Sequence, residues 1–339
     1  MRKANKILLI CGSMNQTTMM VQISRHLSQH DIWFTPHYTD GFLKVMEQNG
    51  LLEWTVAGKR IQDQATQYLT EQGLKIDPRG ERHDYDLVIM CADLVVPKNI
   101  RHKRIVLVQE GMTDPENLAY YLVKYLKLPR YLASTSTFGL SDSYVNMCVA
   151  SEGYREHFVR KGVRPEKIVV TGIPNFDHCE RYRELPFDRR DYVLVATSDS
   201  RETFKYENRR KFIQRAIEIA DGRSLIFKLH PNEQVDRACL EIEQVAPHAE
   251  VYHGCDINPM IAHCDTLVTR FSSCVYIGIA LGKTVYSDFP IDHLKSMCPI
   301  QNGGTSALRI AEVAMQVMDR TVVRVPAPTL FTIEWGRTA

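Results

Sequence analysis

Short apolar runs alternate with amphipathic stretches of helix length along this chain. The continuous apolar residues at 6–11 predict a strand buried on both faces, as in a parallel sheet, and Gly12-Ser13-Met14-Asn15-Gln16 then turns into a helix expected over 17–28. Further strands are expected at 32–35, 85–90, 105–108, 144–150 and 168–170, with helical patterns at 42–48, 60–71, 117–126 and 151–161 among them. The last of these helices has a clear end, because Gly162 follows the basic pair Arg160-Lys161, which is what a helix C-terminus prefers. Alternation of this kind predicts a doubly wound α/β domain.

From Phe176 to Arg190 the pattern breaks into charged residues without an apolar run of core length. A fresh strand is expected at 192–197, followed by strands at 225–229, 250–252, 266–270 and 284–287, with helices at 208–220, up to 245, 258–263, 273–281 and 305–318. The expected architecture is α/β with two Rossmann-like doubly wound domains. Residues 1–175 would form the first domain, on the acceptor side, 176–190 a linker and 191–325 a nucleotide-donor domain, with a tail over 326–339 packing back on the N-terminal domain.

Composition narrows the class. At 339 residues, 44% hydrophobic and 24% charged, the chain is globular and too long for one ordinary core. Its 42 basic and 40 acidic residues leave a formal charge of +2, so no bulk attraction to nucleic acid or anionic lipid is implied and any phosphate site must be local. Nine cysteines occur without a Cys-x-x-Cys pair, which predicts reduced, mostly buried thiols in a cytoplasmic protein. The opening apolar run, about five residues, is too short for a signal sequence or membrane span, so membrane association would be peripheral, at the inner face.

The stretch from Leu225 to Asp288 carries the strongest candidate chemistry. His230-Pro231 follows a strand directly, where α/β sheets bind ligands; a histidine there could steady a diphosphate leaving group, although lone histidines are usually structural. Lys228 lies on the same strand end. Arg270-Phe271-Ser272-Ser273 precedes a helix, so its hydroxyls and the first-turn amides could hold an anion, with Arg270 favouring that charge; Ser272 could also merely cap the helix. Lys283, after Gly282, reads as a solvated charge at a helix end. Ser198 and Arg201, in the polar loop after the first strand of the second domain, are further donor-binding candidates, weighed against plain loop polarity.

The first domain offers less. Gly12-Ser13 could contact the donor but reads first as a tight strand-to-helix turn, since Gly-Ser alone is a weak nucleotide signal. Glu110, between a predicted strand and Gly111, is the best general base, facing the second domain; the competing reading is a loop acid bonded to nearby amides. Asp114 and Glu116 are weaker candidates and Asp93 is expected at the core edge. His253, His263, Cys255 and Cys264 lack paired zinc-type spacing, so no metal site is expected. Tyr120, Tyr121 and Tyr125 fall at helical spacing and are expected in the core.

Four segments carry a family resemblance: Ser151-Glu152-Gly153-Tyr154, Gly172-Ile173-Pro174-Asn175-Phe176-Asp177, Lys228-Leu229-His230-Pro231, and Ser272-Ser273 nine residues before Gly282. Spanning 144–287, they resemble GT-B-type glycosyltransferases and their relatives, the UDP-N-acetylglucosamine 2-epimerases and CDP-glycerol glycerophosphotransferases. The resemblance implies a nucleotide-activated sugar donor in a cleft between the two domains, with His230, Ser272 and Ser273 on its diphosphate. It also implies catalysis without an obligatory metal or bound cofactor. The first functional expectation is a glycosyltransferase acting on a polysaccharide or glycolipid acceptor. A UDP-sugar 2-epimerase or a glycerophosphotransferase is the second, and a non-catalytic subunit of a polysaccharide assembly complex the third. The chain departs from many relatives in having Ile277 where they keep a ribose-holding acid, and Glu110-Gly111-Met112 where epimerases have Glu-Ala-Gly-Leu-Arg.

Overall fold

The computed structural model describes residues 4–53, 55, 57–202 and 206–319. The first part of the chain runs β1 (Lys6–Ile10), α1 (Met14–Ser24), β2 (Asp31–Thr35), α2 (Gly41–Gln48), α3 (Lys59–Glu71), β3 (Leu87–Met90), β4 (Arg104–Val108), α4 (Leu118–Leu126), β5 (Asn146–Val149), α5 (Glu152–Lys161) and β6 (Ile168–Val170). The second runs β7 (Tyr192–Ala196), α6 (Arg209–Ala220), β8 (Ser224–Lys228), α7 (Val235–Val245), β9 (Glu250–Tyr252), α8 (Ile257–His263), β10 (Thr266–Thr269), α9 (Cys274–Ala280), β11 (Thr284–Tyr286), α10 (Ile291–Met297) and α11 (Ser306–Asp319).

Each part builds one parallel sheet, six strands in the order β2-β1-β3-β4-β5-β6 and five in the order β11-β10-β7-β8-β9. The strands read as unbroken apolar runs because helices cover both faces, and the central β3, β5, β7 and β10 are buried throughout. The structure is two Rossmann-like α/β domains. The order reverses between β1 and β3 in the first sheet and between β7 and β10 in the second, and ligands of such sheets bind beyond the strand ends at these reversals.

Local chemistry explains where elements begin. Helix α1 starts at Met14, earlier than expected, because the Ser13 hydroxyl accepts the Gln16 amide at 3.2 Å and caps the first turn. Asn117, Ser151, Asn208 and Asp256 cap α4, α5, α6 and α8 in the same way. Gly162, with φ 107°, closes α5 as expected.

The segment expected as a linker is partly ordered on the second domain: a 3-10 turn at Cys179–Glu184 buries Cys179 and Tyr182 and packs on α8. The larger difference concerns the end of the chain. Helix α11, expected within the donor domain, packs instead on α1 and on β3, β4 and β5 of the first sheet, burying Ile310, Ala311, Ala314 and Val317. An amphipathic pattern fixes which face of a helix is apolar but not which sheet it covers. The return crossing is clasped by Asp177, whose carboxylate accepts the Ser306 amide at 2.8 Å and whose carbonyl accepts those of Asn302 and Gly303. Helix α10 packs on α5, and between the domains the Tyr154 and Tyr276 hydroxyls share a buried hydrogen bond. The expected tail over 326–339 lies outside the described residues.

Candidate functional site

A cleft of about 790 Å³ separates the two domains, walled by Asn15, Thr18 and Gln22 of the first and by Lys228, His230, Asp256, Ser272, Ser273 and Ile277 of the second. A smaller cavity of about 210 Å³ adjoins it on the first-domain side, lined by Gln16, Cys91, Glu110, Gly111, Thr113 and Phe138. Asn15 and Ser273 line both. A Cβ placed on Gly111 would lie 3.4 Å from the Cβ of Ser273, so the Glu110 loop and the Ser272-Ser273 turn are close neighbours across the domain boundary.

Glu110 sits at the carboxyl end of β4. Its carboxylate accepts the Ser13 hydroxyl at 2.8 Å and the Gln16 amide nitrogen at 2.5 Å. Glu110 keeps a strip of surface on the smaller cavity, yet the protein packed around its carboxyl pushes the pKa above the ordinary glutamate range, against the opposing pull of Gln16 and Ser13. Burial that favours the neutral carboxyl makes Glu110 a stronger proton acceptor than an ordinary surface glutamate.

His230 follows β8. Its ring Nδ1 lies 3.2 Å from the Asn232 amide, which donates to it, and 3.7 Å from Asp199 Oδ2. An Nδ1 accepting a backbone N–H leaves the neutral ring's proton on Nε2, able to donate to an oxyanion. The His230 amide donates to the Thr197 hydroxyl at 3.0 Å and to Glu233 Oε2 at 2.9 Å. The Glu233 side chain is fully enclosed and also accepts the Thr197 hydroxyl and pairs with Arg209. Glu233 thereby fixes the turn that presents His230. Sequence reasoning passed over it, because a glutamate three residues after a strand-end histidine carries no local signal that its side chain turns back on the backbone.

Lys228 is buried at the cleft wall, its ammonium donating to the Leu229 carbonyl at 2.8 Å, and desolvation lowers its pKa. Ser272 and Ser273 both line the cleft; the Ser272 hydroxyl accepts the Cys274 amide at 3.4 Å, and no side-chain bond from Ser273 caps the seven-residue α9. Ile277 also faces the cleft, where Glu184 and Asp256 are acidic residues of its lining.

The other expected donor contacts fall elsewhere. Gly12 and Ser13 lie outside the lining of the cleft; Ser13 serves α1 and Glu110, and a Cβ on Gly12 would strike the Gln16 amide that reaches Glu110. Arg270, expected to favour an anion, donates to Asp288 at 2.8 Å and lies 3.8 Å from Glu207. Ser198 donates to Glu207 at 3.1 Å, and Arg201 pairs with Glu241 at 2.7 Å. These residues join a charge cluster with Arg209 and Glu233 behind the His230 turn, because buried carboxylates need cationic partners. Asp93 is buried and accepts the Gly139 and Ser141 amides at 2.9 Å each, and Asp114 accepts the Thr135 hydroxyl. Lys283 contributes its amide to Gly278 at the end of α9.

His263 meets the Leu185 carbonyl at 2.9 Å and the Cys264 thiol that of Ile261 at 3.3 Å. Among the described residues no three His, Cys, Asp or Glu side chains gather as a metal would require. Of the three tyrosines expected in the core, Tyr120 is buried, whereas Tyr121 and Tyr125 are exposed.

Against solved structures the chain aligns along nearly its whole length. A UDP-GlcNAc 2-epimerase from Neisseria meningitidis bound to UDP-GlcNAc matches with a TM-score of 0.56 at 12% identity, over 92% of this chain and 100% of that one. The fold is of the GT-B type. The S. aureus MnaA–UDP structure matches this GT-B chain with a TM-score of 0.54 at 13% identity, over 90% and 94% of the two chains. Anabaena Alr3699/HepE in complex with UDP and glucose matches at 0.50 and 12%, over 93% and 99%. No family model and no curated protein sequence matches the chain.

Proposed function

We propose that this GT-B chain is an enzyme acting on a nucleotide-activated sugar. The diphosphate lies along the second-domain edge, against His230, Ser272 and Ser273, with the sugar reaching toward Glu110. The observation that carries this reading is that Glu110 and Ser273 line the same small cavity, which shares Ser273 and Asn15 with the cleft beside it. A diphosphate leaves from the anomeric carbon only if its growing charge is met, and a neutral His230 Nε2–H, two hydroxyls and the Lys228 ammonium supply that on one side. Glu110 supplies a proton acceptor on the other. Asp256 and Glu184 are the cleft carboxylates available to ribose hydroxyls in place of an acid at 277.

Within that class, epimerisation at sugar C2 is the reading best supported. Its support is the full-length likeness to structures solved with UDP-GlcNAc and UDP and the small volume before Glu110, which suits one sugar ring more than a sugar and a second saccharide. Glu110 would take the C2 proton as the C1–O bond to the diphosphate breaks and a C1=C2 double bond forms. Return of the diphosphate to C1, with water supplying a proton to the other face of C2 and Glu110 giving its own proton up to solvent, completes the exchange. Glycosyl transfer is the second reading, favoured by Glu110 being, among the described residues, the one carboxylate lining the small cavity, since deprotonating an acceptor hydroxyl needs a single base. There the diphosphate leaves for good and the acceptor oxygen bonds to C1.

The test is NMR of the enzyme with UDP-GlcNAc alone in D2O. A new C2 epimer carrying deuterium at C2 establishes epimerisation. UDP release that requires an added saccharide establishes transfer, and no binding or turnover with any nucleotide sugar defeats the proposal.

A further inference from the structure

The nine residues of α4 read Leu-Ala-Tyr-Tyr-Leu-Val-Lys-Tyr-Leu, and only Tyr120 and Val123 are buried. Leu118, Tyr125 and Leu126 are 74%, 73% and 63% exposed, and Leu132 just beyond is 55% exposed. Monomeric proteins rarely leave so much contiguous apolar surface without a use for it. Beside the end of α4 runs a groove of about 550 Å³, with Phe42 and Leu128 among its apolar walls and Lys98, Arg101, Lys127 and Arg130 as its cations. Phe42 is itself 71% exposed. The acid in that lining, Asp40, is occupied by the Gly41 and Lys98 amides at 2.7 and 2.9 Å.

We infer that α4 and this groove form a docking surface for an anionic lipid bilayer. Tyrosine and leucine on one short helix, with basic side chains at its flank, are the composition that settles at the headgroup boundary. The tyrosine rings and leucines enter the acyl edge while Lys98, Arg101 and Lys127 meet lipid phosphates. The whole chain has a formal charge of +2, so the attraction is local to this face. A second copy is a poorer occupant, because a two-fold contact would set these cations against their own counterparts. No helix among the described residues is long and apolar enough to cross a membrane, and the contact is therefore a surface one.

The test is flotation of the full chain with vesicles of phosphatidylcholine alone and of phosphatidylcholine with about one third phosphatidylglycerol, at low and high salt. Wild type is expected to float with the anionic vesicles and to be released by salt. Tyr125→Ser with Leu126→Ser lowers partitioning by at least about tenfold. Lys98→Gln with Lys127→Gln lowers it by roughly 25-fold and weakens the salt dependence, which Arg101 then carries alone or with Arg130. All four side chains are exposed, so melting temperatures stay at the wild-type value, which separates lost docking from misfolding. Absence of wild-type flotation overturns the inference. So does unchanged flotation of both variants, or a stable dimer in solution that Tyr125→Ser with Leu126→Ser splits. No nucleotide is needed in the experiment, so its outcome is independent of the proposed reaction.

Discussion

The hydroxyl of Tyr154 on α5 and that of Tyr276 on α9 meet at 2.7 Å, both buried, at the join between the two domains. Removing either hydroxyl leaves the other enclosed without that partner, at a cost of about 1–3 kcal/mol. Removing both costs less than the sum, since two apolar rings of the same shape then face each other. Urea denaturation of Tyr154→Phe, Tyr276→Phe and the double variant measures the difference; additive losses would show that the bond contributes nothing to the join.

Glu110→Gln is expected to lower turnover by at least about a hundredfold; its single amide oxygen can keep the Ser13 bond, while the Gln16 amide must turn over to accept from the new NH2. It also changes the pH dependence of stability. Burial raises the Glu110 pKa above the ordinary glutamate value, so the protonated form favours folding. That contribution is complete below the unfolded-state pKa and is lost as pH rises through the raised one. Melting curves over this interval should fall for wild type relative to Glu110→Gln, and the acid limb of the activity profile should lie above the ordinary carboxylate range. Parallel melting curves would show that Glu110 carries no such shift.

His230→Ala is expected to reduce turnover by roughly a hundredfold to a thousandfold, the cost of losing one well-placed donor to a developing oxyanion. His230 is only half-buried, so the melting temperature should stay near that of wild type. Wild-type turnover with a verified donor would remove His230 from the mechanism.

Glu233→Ala should cost about 3–5 kcal/mol, because it leaves Arg209 buried with one of its carboxylates gone. Glu233→Gln keeps an acceptor for the His230 amide and should retain more activity than the alanine variant. Equal activity in the two would mean that the turn before His230 does not depend on residue 233.

Gly153 lies in the first turn of α5, where any Cβ would meet the Ser296 carbonyl of α10. Gly153→Ala is expected to destabilise by about 1–3 kcal/mol through overpacking against backbone, read as a lower urea midpoint. An unchanged midpoint would mean that α10 is not held against α5.

Much of the architecture was legible because both sheets are parallel and doubly covered, so their strands stand out as apolar runs and the polar breaks mark the ligand edge. His230, Ser272, Ser273 and Glu110 were expected by that logic, and each lines one or both of the adjoining cavities. Ser198, Arg201 and Arg270 were misplaced for one reason: their partners Glu207, Glu241 and Asp288 come from other parts of the chain, and no local pattern announces such pairing. Tyr121 and Tyr125 failed differently. Their spacing is helical, but the buried stripe of α4 is narrow enough to take only Tyr120 and Val123. Helix α11 showed its amphipathic period plainly, yet its apolar face fits the first sheet.

That placement has a consequence for synthesis. The surface formed by α1 and β3 to β5 is completed by residues near the far end of the described chain, after every strand of the second sheet has been made. During translation the first domain must therefore wait with an apolar face uncovered, and the second domain matures as an insertion within it. A ribosome stalled before Ser306 would hold a finished second domain beside an unfinished first one, and that intermediate is where a chaperone would find exposed surface to bind.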